Sequence, residues 1–139
     1  MIIHVVYEFR GGVQKVAFEL AVAQSRLGHN VEIWSLSNET IDDVLVEGLR
    51  IRYFDCLSVF GVKYSKVLAK KLLAKRDSID VIHSHNTFHP LNYQIYLFSK
   101  KNQKKVAYHP HGALDPNLFK GYSFDSIKKK LYIFLFERR

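Results

Sequence analysis

Short apolar runs alternate along the chain with longer stretches whose apolar residues recur at helical spacing. Five runs predict β-strands, at residues 2–6, 31–36, 51–54, 80–83 and 106–109. The first run, IIHVV, is apolar almost throughout, which is typical of a strand buried on both faces of a parallel sheet. His4 lies inside this run, and we predict that it is a core histidine with satisfied hydrogen bonds.

The longer stretches predict four helices, at residues 13–27, 63–76, 90–103 and 126–139. The apolar stripe of the first helix comprises Val13, Val16, Ala17, Leu20, Ala21, Gln24 and Leu27. Lysines lie off the apolar face of the second helix and predict a solvated surface, at Lys63, Lys66, Lys70 and Lys75. Residues 37–50 are polar and weakly patterned, which predicts a loop with at most one helical turn.

Strands and helices alternate through the whole chain, without a repeat or a linker, so the sequence predicts one α/β domain. Right-handed βαβ crossovers give a Rossmann-like parallel sheet between helical layers. We predict the strand order 3-2-1-4-5, in which the order reverses between the first and fourth strands. Ligands bind beyond the carboxyl ends of the strands at such a point. The loop with Gly11 and Gly12 would then face the loop with His85 and Asn86.

Gly11 and Gly12 stand between the first strand and the first helix. Glycine permits positive φ and a close approach of another molecule to the backbone. The first amides of a helix lack partners within it, so they favour an anionic or polar ligand. Neither G-x-G-x-x-G nor the P-loop pattern is present, so this turn alone does not identify a phosphate site.

The composition indicates a globular protein with an anionic partner. Apolar residues make up 47% of the chain, which excludes disorder, and the net charge is +8. The basic surplus suits nucleic acid, an anionic membrane or a phosphorylated substrate. We rank nucleic acid last, because the aromatic residues follow strands and helix stripes. Cys56 is the only cysteine, and no apolar run or amino-terminal leader pattern indicates a membrane span or a signal peptide, so we expect a cytoplasmic location.

Histidines are concentrated after the fourth and fifth predicted strands, at His83, His85, His89, His109 and His111. We expect these strand ends and the following loop to converge on one edge of the sheet. Two H-x-H pairs raise the possibility of a metal site, because alternate strand residues point the same way. No cysteine is near and Asp115 is the only nearby carboxylate, so we predict no metal. The alternative is a polar ligand held by imidazoles, which both donate and accept hydrogen bonds.

Four blocks of the sequence resemble a known enzyme family. RGGVQKVAFELAVAQSRLGHNVEIWS and IDVIHSHNTF resemble the GT-B glycosyltransferases of retaining family 4. HPHGALDPNLF and KKKLYIFLFERR are similar to members that build bacterial surface polysaccharides, including lipopolysaccharide and capsule. The resemblance implies the N-terminal, acceptor-side half of a GT-B fold. It also implies a nucleotide-sugar donor, a glycan or lipid-linked acceptor, and no metal or other cofactor.

The resemblance also implies roles for individual residues. His111 would lie beside the transferred sugar as the catalytic residue, and Gly11 and Gly12 would approach the donor diphosphate. His85 and Asn86 would line the acceptor side. Gly112 and Asp115 belong to the same P-H-G-A-L-D segment and are expected to bind substrate. The basic helices would favour the anionic inner face of the cell membrane, where lipid-linked acceptors lie.

Relatives of this kind continue beyond the position matched by Arg139, so we expect residues 1–139 to be a truncated N-terminal domain without the C-terminal donor-binding domain. We therefore expect the chain alone to be inactive, with apolar side chains of residues 131–136 exposed. A partner chain could supply the donor domain. Two alternatives stay open. One is a stand-alone Rossmann-like module that binds a nucleotide or phosphate without catalysis, and the other is a histidine-based metallohydrolase.

Overall fold

A computed structural model describes residues 1–9, 11–39, 41–59, 62–85 and 87–119, together with residues 127, 130, 131 and 134. The elements in chain order are β1 (Ile2–Val6), α1 (Gly11–Arg26), β2 (Val31–Ser37), β3 (Val44–Val46), β4 (Leu49–Asp55), β5 (Leu57–Val59), β6 (Val62–Tyr64), α2 (Lys66–Ala74), β7 (Val81–Ser84), α3 (Pro90–Asn102) and β8 (Lys105–Tyr108). Short 3₁₀ helices follow α2 at Arg76–Ser78 and β8 at Pro116–Phe119.

The main sheet has the order β3-β4-β2-β1-β7-β8. Strands β4, β2, β1, β7 and β8 are parallel to one another and stand in the predicted order 3-2-1-4-5. The order reverses between β1 and β7, where His4 is paired in register with His83. The α/β, Rossmann-like prediction is therefore confirmed.

Helices cover both faces of the sheet. Ile3, Val5 and Trp34 point to one face and pack with buried leucines of α2 and α3 in the larger core. Val6 and Ile33 point to the other face and pack with Ala17 and Ala21 of α1 in a smaller core. Because side chains alternate along a strand, His4 lies on the α1 face, between its neighbours Ile3 and Val5 on the other face.

Three strands were missed and two predicted surfaces were wrong. Strand β3 lies within the predicted loop and pairs antiparallel with β4, and a separate hairpin joins β5 to β6. Lys63 belongs to this hairpin and is buried rather than solvated, because its ammonium pairs with Glu8. The predicted stripe of α1 is only half right, since Val13, Val16 and Leu27 are exposed.

The predicted helix at residues 126–139 lies outside the described residues except at Ile127, Lys130, Leu131 and Phe134. Ile127, Leu131 and Phe134 are at least half exposed, as expected for apolar residues of this segment. Among the described residues, no helix has both the length and the apolar character that crossing a membrane requires.

Candidate functional site

The carboxyl ends of β1, β7 and β8 form one continuous edge. Beyond the strands, the backbone amide of His85 donates to the carbonyl of Val5 at 2.9 Å, and the amide of His109 donates to Ser84 at 2.8 Å. The loops after β7 and β8 are joined by the Thr87 hydroxyl, which donates to the carbonyl of Pro110 at 3.3 Å. These bonds bring the two H-x-H segments together, as the sequence predicted.

Three histidine rings and one amide are hydrogen-bonded end to end at this edge. The amide oxygen Oε1 of Gln24 on α1 lies 2.7 Å from Nε2 of His4. Nδ1 of His4 lies 2.8 Å from Nε2 of His85. Nδ1 of His85 lies 3.0 Å from Nε2 of His111. We call this set the histidine relay. It runs from the α1 face of the sheet to the loop after β8.

Burial keeps the relay uncharged. His4 is fully buried and His85 is 2% exposed. Burial lowers the pKa of His85 to about 2, and the neighbouring rings of His83 and His4 contribute in the same direction. Burial also lowers the pKa of His4, although its bond to Gln24 opposes that shift. The pKa of His111 is lowered by partial burial and by His109. At neutral pH the relay therefore consists of neutral imidazoles.

His83 and His109 pack face to face against the relay. The ring of His83 lies 4.2 Å from that of His85 and is stacked on it. The ring of His109 lies 3.9 Å from that of His111, with an angle of 10° between the planes. Burial and the adjacent imidazoles lower the pKa of His83 to about 4.

Among the residues that the structure describes, two groups of histidines offer nitrogens close enough to one another to hold a metal ion, His4 with His83 and His85, and His85 with His109 and His111. Both groups need His85, whose two nitrogens already bond to His4 and His111. A zinc ion lies in the plane of each imidazole that binds it, whereas the rings of His109 and His111 are nearly parallel. Metal binding would therefore require the relay to break and the rings to turn.

The loop after β8 holds His111 in an uncommon backbone conformation. His111 has φ +47° and Gly112 has φ +79°, so two successive residues lie in the left-handed region. A non-glycine residue in that region costs about 1 kcal/mol or more and persists where surrounding contacts enforce it. For His111 that contact is the bond to His85. Such conformations concentrate at functional sites.

The turn between β1 and α1 lies beside this edge. Gly11 has φ +81°, and a side chain placed at Gly11 or Gly12 would meet only open space. Both glycines are exposed in the first turn of α1, where backbone amides have no partner within the helix. Tyr7, which directly follows β1, packs against the ring of His89 with 3.7 Å between centroids, and this contact joins the turn to the loop after β7.

A pair of oppositely charged side chains lies beside this turn. Lys63 of β6 pairs with Glu8, and its ammonium lies 4.9 Å from the centre of the Tyr7 ring. Burial and the charge of Lys63 lower the pKa of His89 to about 4. A hollow of about 260 Å³ lies next to this pair and is lined by Glu8, Phe9, Leu36, Ser37, Asn38, Glu39, Ile41, Tyr53 and Lys63.

The structure brings most of the predicted site residues together at one edge of the sheet. His85, His111 and Gly112 lie together at the carboxyl edge, and Gly11 and Gly12 are in the adjacent turn. Asp115 is exposed and accepts a hydrogen bond from the amide of Asn117 at 2.8 Å, so it caps the short helix that follows. Asn86 lies outside the described residues. Their roles toward a ligand stay predictions.

His89 lies at the same edge of the sheet, against the ring of Tyr7. Its side chain caps the amino terminus of α3, where Nδ1 accepts from the amide of Leu91 at 3.1 Å.

His4 is a satisfied core histidine, as predicted, but the sequence reasoning missed that it also belongs to the site. It also missed Gln24, which was assigned to an apolar stripe. The signal was available, because the predicted order places His4 beside His83, and a polar residue on a buried helix face needs a partner.

A different buried polar group lies near the amino-terminal edge of the sheet. Glu32 of β2 accepts hydrogen bonds from Trp34 at 2.8 Å, from Arg52 Nε at 2.7 Å and from Lys75 at 2.9 Å. Burial alone would raise the pKa of Glu32, but these donors lower it to about 2. Arg52 also pairs with Asp43. We call Glu32, Arg52 and Lys75 the ion-pair network.

Comparison with known proteins places these features in a family context. The sequence model of the family described as Glycosyltransferase Family 4 matches residues 10–139, which is nearly the whole chain. The match includes α1, both H-x-H segments and the loop with His111. No curated protein sequence gives a significant match to the chain.

Proposed function

This chain belongs to glycosyltransferase family 4, and from that premise we propose that it forms the acceptor-binding part of a glycosyltransferase. The enzyme would move a sugar from a nucleotide-sugar donor to a glycan or lipid-linked acceptor with retention of configuration. The observation that carries the proposal is the position of His111. Its ring is bonded to His85, which follows β7 at the reversal point of the strand order, and its backbone is left-handed.

In the proposed reaction, the bond from the anomeric carbon to the diphosphate breaks and the acceptor oxygen bonds to the same face of that carbon. The acceptor proton passes to the departing phosphate oxygen. A neutral His111 suits this chemistry, because it can orient a sugar hydroxyl without placing a positive charge beside the forming oxocarbenium ion. Open amides at Gly11 and Gly12 would contribute to stabilising the diphosphate.

The remaining predicted residues have smaller roles in this proposal. Gly112 provides the left-handed turn that aims His111, and Asp115 fixes the following 3₁₀ helix through its bond to Asn117. His85 orients His111 and borders the acceptor side. Asn86 follows His85 directly and is proposed to contact the acceptor. The donor sugar would be held by a second, donor-binding domain, as the two-domain resemblance implies.

The proposal is tested by measuring ligand binding to the purified protein by NMR. Probes are a short-chain polyprenyl diphosphate hexosamine as acceptor, and UDP-glucose and GDP-mannose as donors. We expect the acceptor to shift resonances of His85 and residues 109–112, and His111→Ala to weaken its binding about tenfold by removing one ligand hydrogen bond. His29→Ala is the matched control, because His29 is exposed and precedes β2 at the opposite edge.

Two results would contradict the proposal. Tight binding of nucleotides regardless of the attached sugar, without acceptor binding, would favour a stand-alone nucleotide-binding module. Sugar transfer by the isolated 139-residue chain would show that no separate donor-binding domain is needed. Loss of binding in both His111→Ala and His29→Ala would indicate unfolding, which far-ultraviolet circular dichroism would detect.

We also propose that the acceptor belongs to bacterial surface polysaccharide synthesis and that the protein acts at an anionic membrane surface. The support lies on α2 and α3. Exposed lysines line these helices at Lys66, Lys70, Lys100 and Lys101. Between the helices lies a groove of about 410 Å³ with mostly apolar walls, which include Leu73, Tyr93 and Leu97. Exposed lysines on the two helices that form an apolar groove, one of which lines it at Lys101, suit anionic headgroups and their acyl chains.

Vesicle flotation tests the membrane proposal. At low salt the protein is expected to bind vesicles of phosphatidylcholine with phosphatidylglycerol and to bind pure phosphatidylcholine weakly. The double variant Lys70→Glu, Lys101→Glu should lose binding, since each well-placed lysine contributes about 1 kcal/mol. Lys15→Glu on α1 is the control, because it makes one such lysine-to-glutamate change on the other face of the sheet. Equal binding to both kinds of vesicle would rule out the electrostatic contribution.

A further inference from the structure

The histidine relay has a defined direction. It begins at the Gln24 amide on α1, passes through His4 in the middle of β1 and His85 after β7, and ends at His111 in the partly exposed loop after β8. The two middle rings have almost no contact with solvent. Each of them bonds through both ring nitrogens, so neither can change its protonation without changing its neighbour.

The amide oxygen determines where every proton in the relay lies. Oε1 of Gln24 can only accept a hydrogen bond, so Nε2 of His4 carries a hydrogen. A neutral imidazole has one donor and one acceptor, so Nδ1 of His4 accepts and Nε2 of His85 donates. By the same rule Nδ1 of His85 accepts from Nε2 of His111. Nδ1 of His111, at the outer end, then carries a lone pair.

We propose that Gln24 and His4 are positioning residues that fix the tautomer of His111, so that its Nδ1 is presented to a ligand as a hydrogen-bond acceptor. The ligand group that fits is a hydroxyl, which donates to such a nitrogen, and a carbohydrate supplies several. This identification of the ligand rests on the proposed function. The tautomer itself does not, because it follows from the bonds within the protein.

The surroundings of the relay favour this assignment over a charged or metal-bound cluster. Among the described residues, no carboxylate bonds to any ring of the relay, so nothing there would stabilise an imidazolium. The rings of His83 and His109 lie against it face to face, which leaves their nitrogens poorly directed toward an ion shared with His85 or His111. The relay is therefore built to hold neutral rings in one orientation.

The tautomers can be read directly by NMR. In ¹⁵N-histidine-labelled protein, two-bond correlations between ring nitrogens and ring protons distinguish the protonated nitrogen from the nitrogen with a lone pair. We expect His4, His85 and His111 all to be Nε2–H tautomers at pH 7.5. Three Nδ1–H tautomers would mean that the Gln24 amide donates, and this result would overturn the proposal without any variant being made.

A pair of variants separates positioning from packing. Gln24→Leu removes the acceptor at the inner end and is expected to give His111 a mixture of both tautomers. Gln24→Glu keeps an oxygen acceptor and should preserve the Nε2–H tautomer at pH 7.5, while its carboxylate should raise the pKa of His4. Gln14→Leu, the same change on the same helix outside the relay, should leave the spectrum of His111 unchanged. An unchanged His111 tautomer in folded Gln24→Leu would overturn the role of Gln24.

Ligand binding then tests the outer end. Gln24→Leu should weaken binding of the polyprenyl diphosphate hexosamine about threefold to fivefold, while Gln24→Glu retains it. If the tautomers are as expected but no carbohydrate binds, the relay stands and the proposed function fails. If one equivalent of Zn²⁺ binds tightly and displaces the ring hydrogens of His85, the cluster is a metal site and the relay proposal fails.

Discussion

The buried polar groups at the two ends of the sheet differ in charge and in how fully the protein itself uses their hydrogen-bonding capacity. At the amino-terminal end, Glu32 is a carboxylate bonded to Arg52, Lys75 and Trp34. At the carboxyl-terminal end, His4 and His85 are neutral rings bonded to other neutral groups. Both arrangements satisfy the rule that a buried polar group needs a partner. Only the ion-pair network does so with charged partners.

The difference indicates which end is available to a ligand. The two oxygens of Glu32 accept four hydrogen bonds, including a longer one of 3.3 Å from the second arginine nitrogen, so their capacity is used. The histidine relay instead ends at a partly exposed ring in a left-handed loop. The ion-pair network, whose hydrogen-bonding capacity is used, stabilises the fold. The histidine relay leaves the ring of His111 for a ligand.

The largest expected effect comes from breaking the ion-pair network. Glu32→Gln should lower the free energy of unfolding by about 3 kcal/mol, because Arg52 and Lys75 lose a shared carboxylate in a poorly solvated position. Urea unfolding at pH 7 measures this. Glu19→Gln, which breaks only the exposed pair with Lys15, should change it by less than about 0.5 kcal/mol. Similar losses in both variants would mean that Glu32 is not specially placed.

A pH series separates the two ends without mutation. The folded pKa of His85, about 2, lies below its ordinary value of 6.5, so the unfolded chain takes up the proton first. Stability is therefore complete above pH 6.5 and falls as the pH falls, by about 2 kcal/mol between pH 6.5 and 5 for this residue. The pKa of Glu32 is also lowered, from 4.5, so its contribution is lost only below pH 4.5.

The histidine contribution is checked with His85→Asn, which cannot titrate. Its stability loss between pH 6.5 and 5 should be about 2 kcal/mol smaller than that of the wild type, even though its stability at pH 7 is lower. His29→Asn leaves the cluster intact and controls for removing a histidine elsewhere in the chain. An equal loss in the wild type and in His85→Asn would assign the acid sensitivity to other groups, such as His83 and His89, whose pKa values are also lowered.

The smallest effect concerns the backbone beside the carboxyl edge. Gly11→Ala should cost about 1 kcal/mol because Gly11 has φ +81°. Gly12→Ala should be neutral or stabilise by about 0.5 kcal/mol, since Gly12 has no positive φ and both positions are open. Thermal unfolding of the two variants compares them directly. Equal costs would indicate that the left-handed turn is not required.

The parallel part of the fold followed from the sequence because its signals are strong and redundant. Each parallel strand is a nearly continuous apolar run, and each is followed by a helix or a turn that the sequence pattern also marks. Strand β3 was missed because its three residues are all exposed, so the segment lacks the alternation of buried and exposed positions that predicts a strand. The β5–β6 hairpin was missed because its last residues merge with the apolar spacing of α2.

The site was predictable only in part. Convergence of His85 and His111 followed from strand order, because carboxyl ends of parallel strands share an edge. The bonds of His4 and Gln24 did not follow, since a sequence pattern fixes which face a residue occupies but not which polar atoms meet on that face. The capping role of His89 was not predicted, because nothing in the pattern distinguishes a histidine that caps a helix before Pro90 from one that faces a ligand.

The histidine relay also makes the site late to assemble. His4 and Gln24 are 20 residues apart and can meet as soon as α1 packs on β1 and β2, whereas His4 and His85 are 81 residues apart. On a growing chain, Nδ1 of His4 gains its partner only after β7 has been made and has inserted beside β1. Closure of the relay at His111 follows, 26 residues later still. Recognition by this edge is therefore among the last properties that the folding chain acquires.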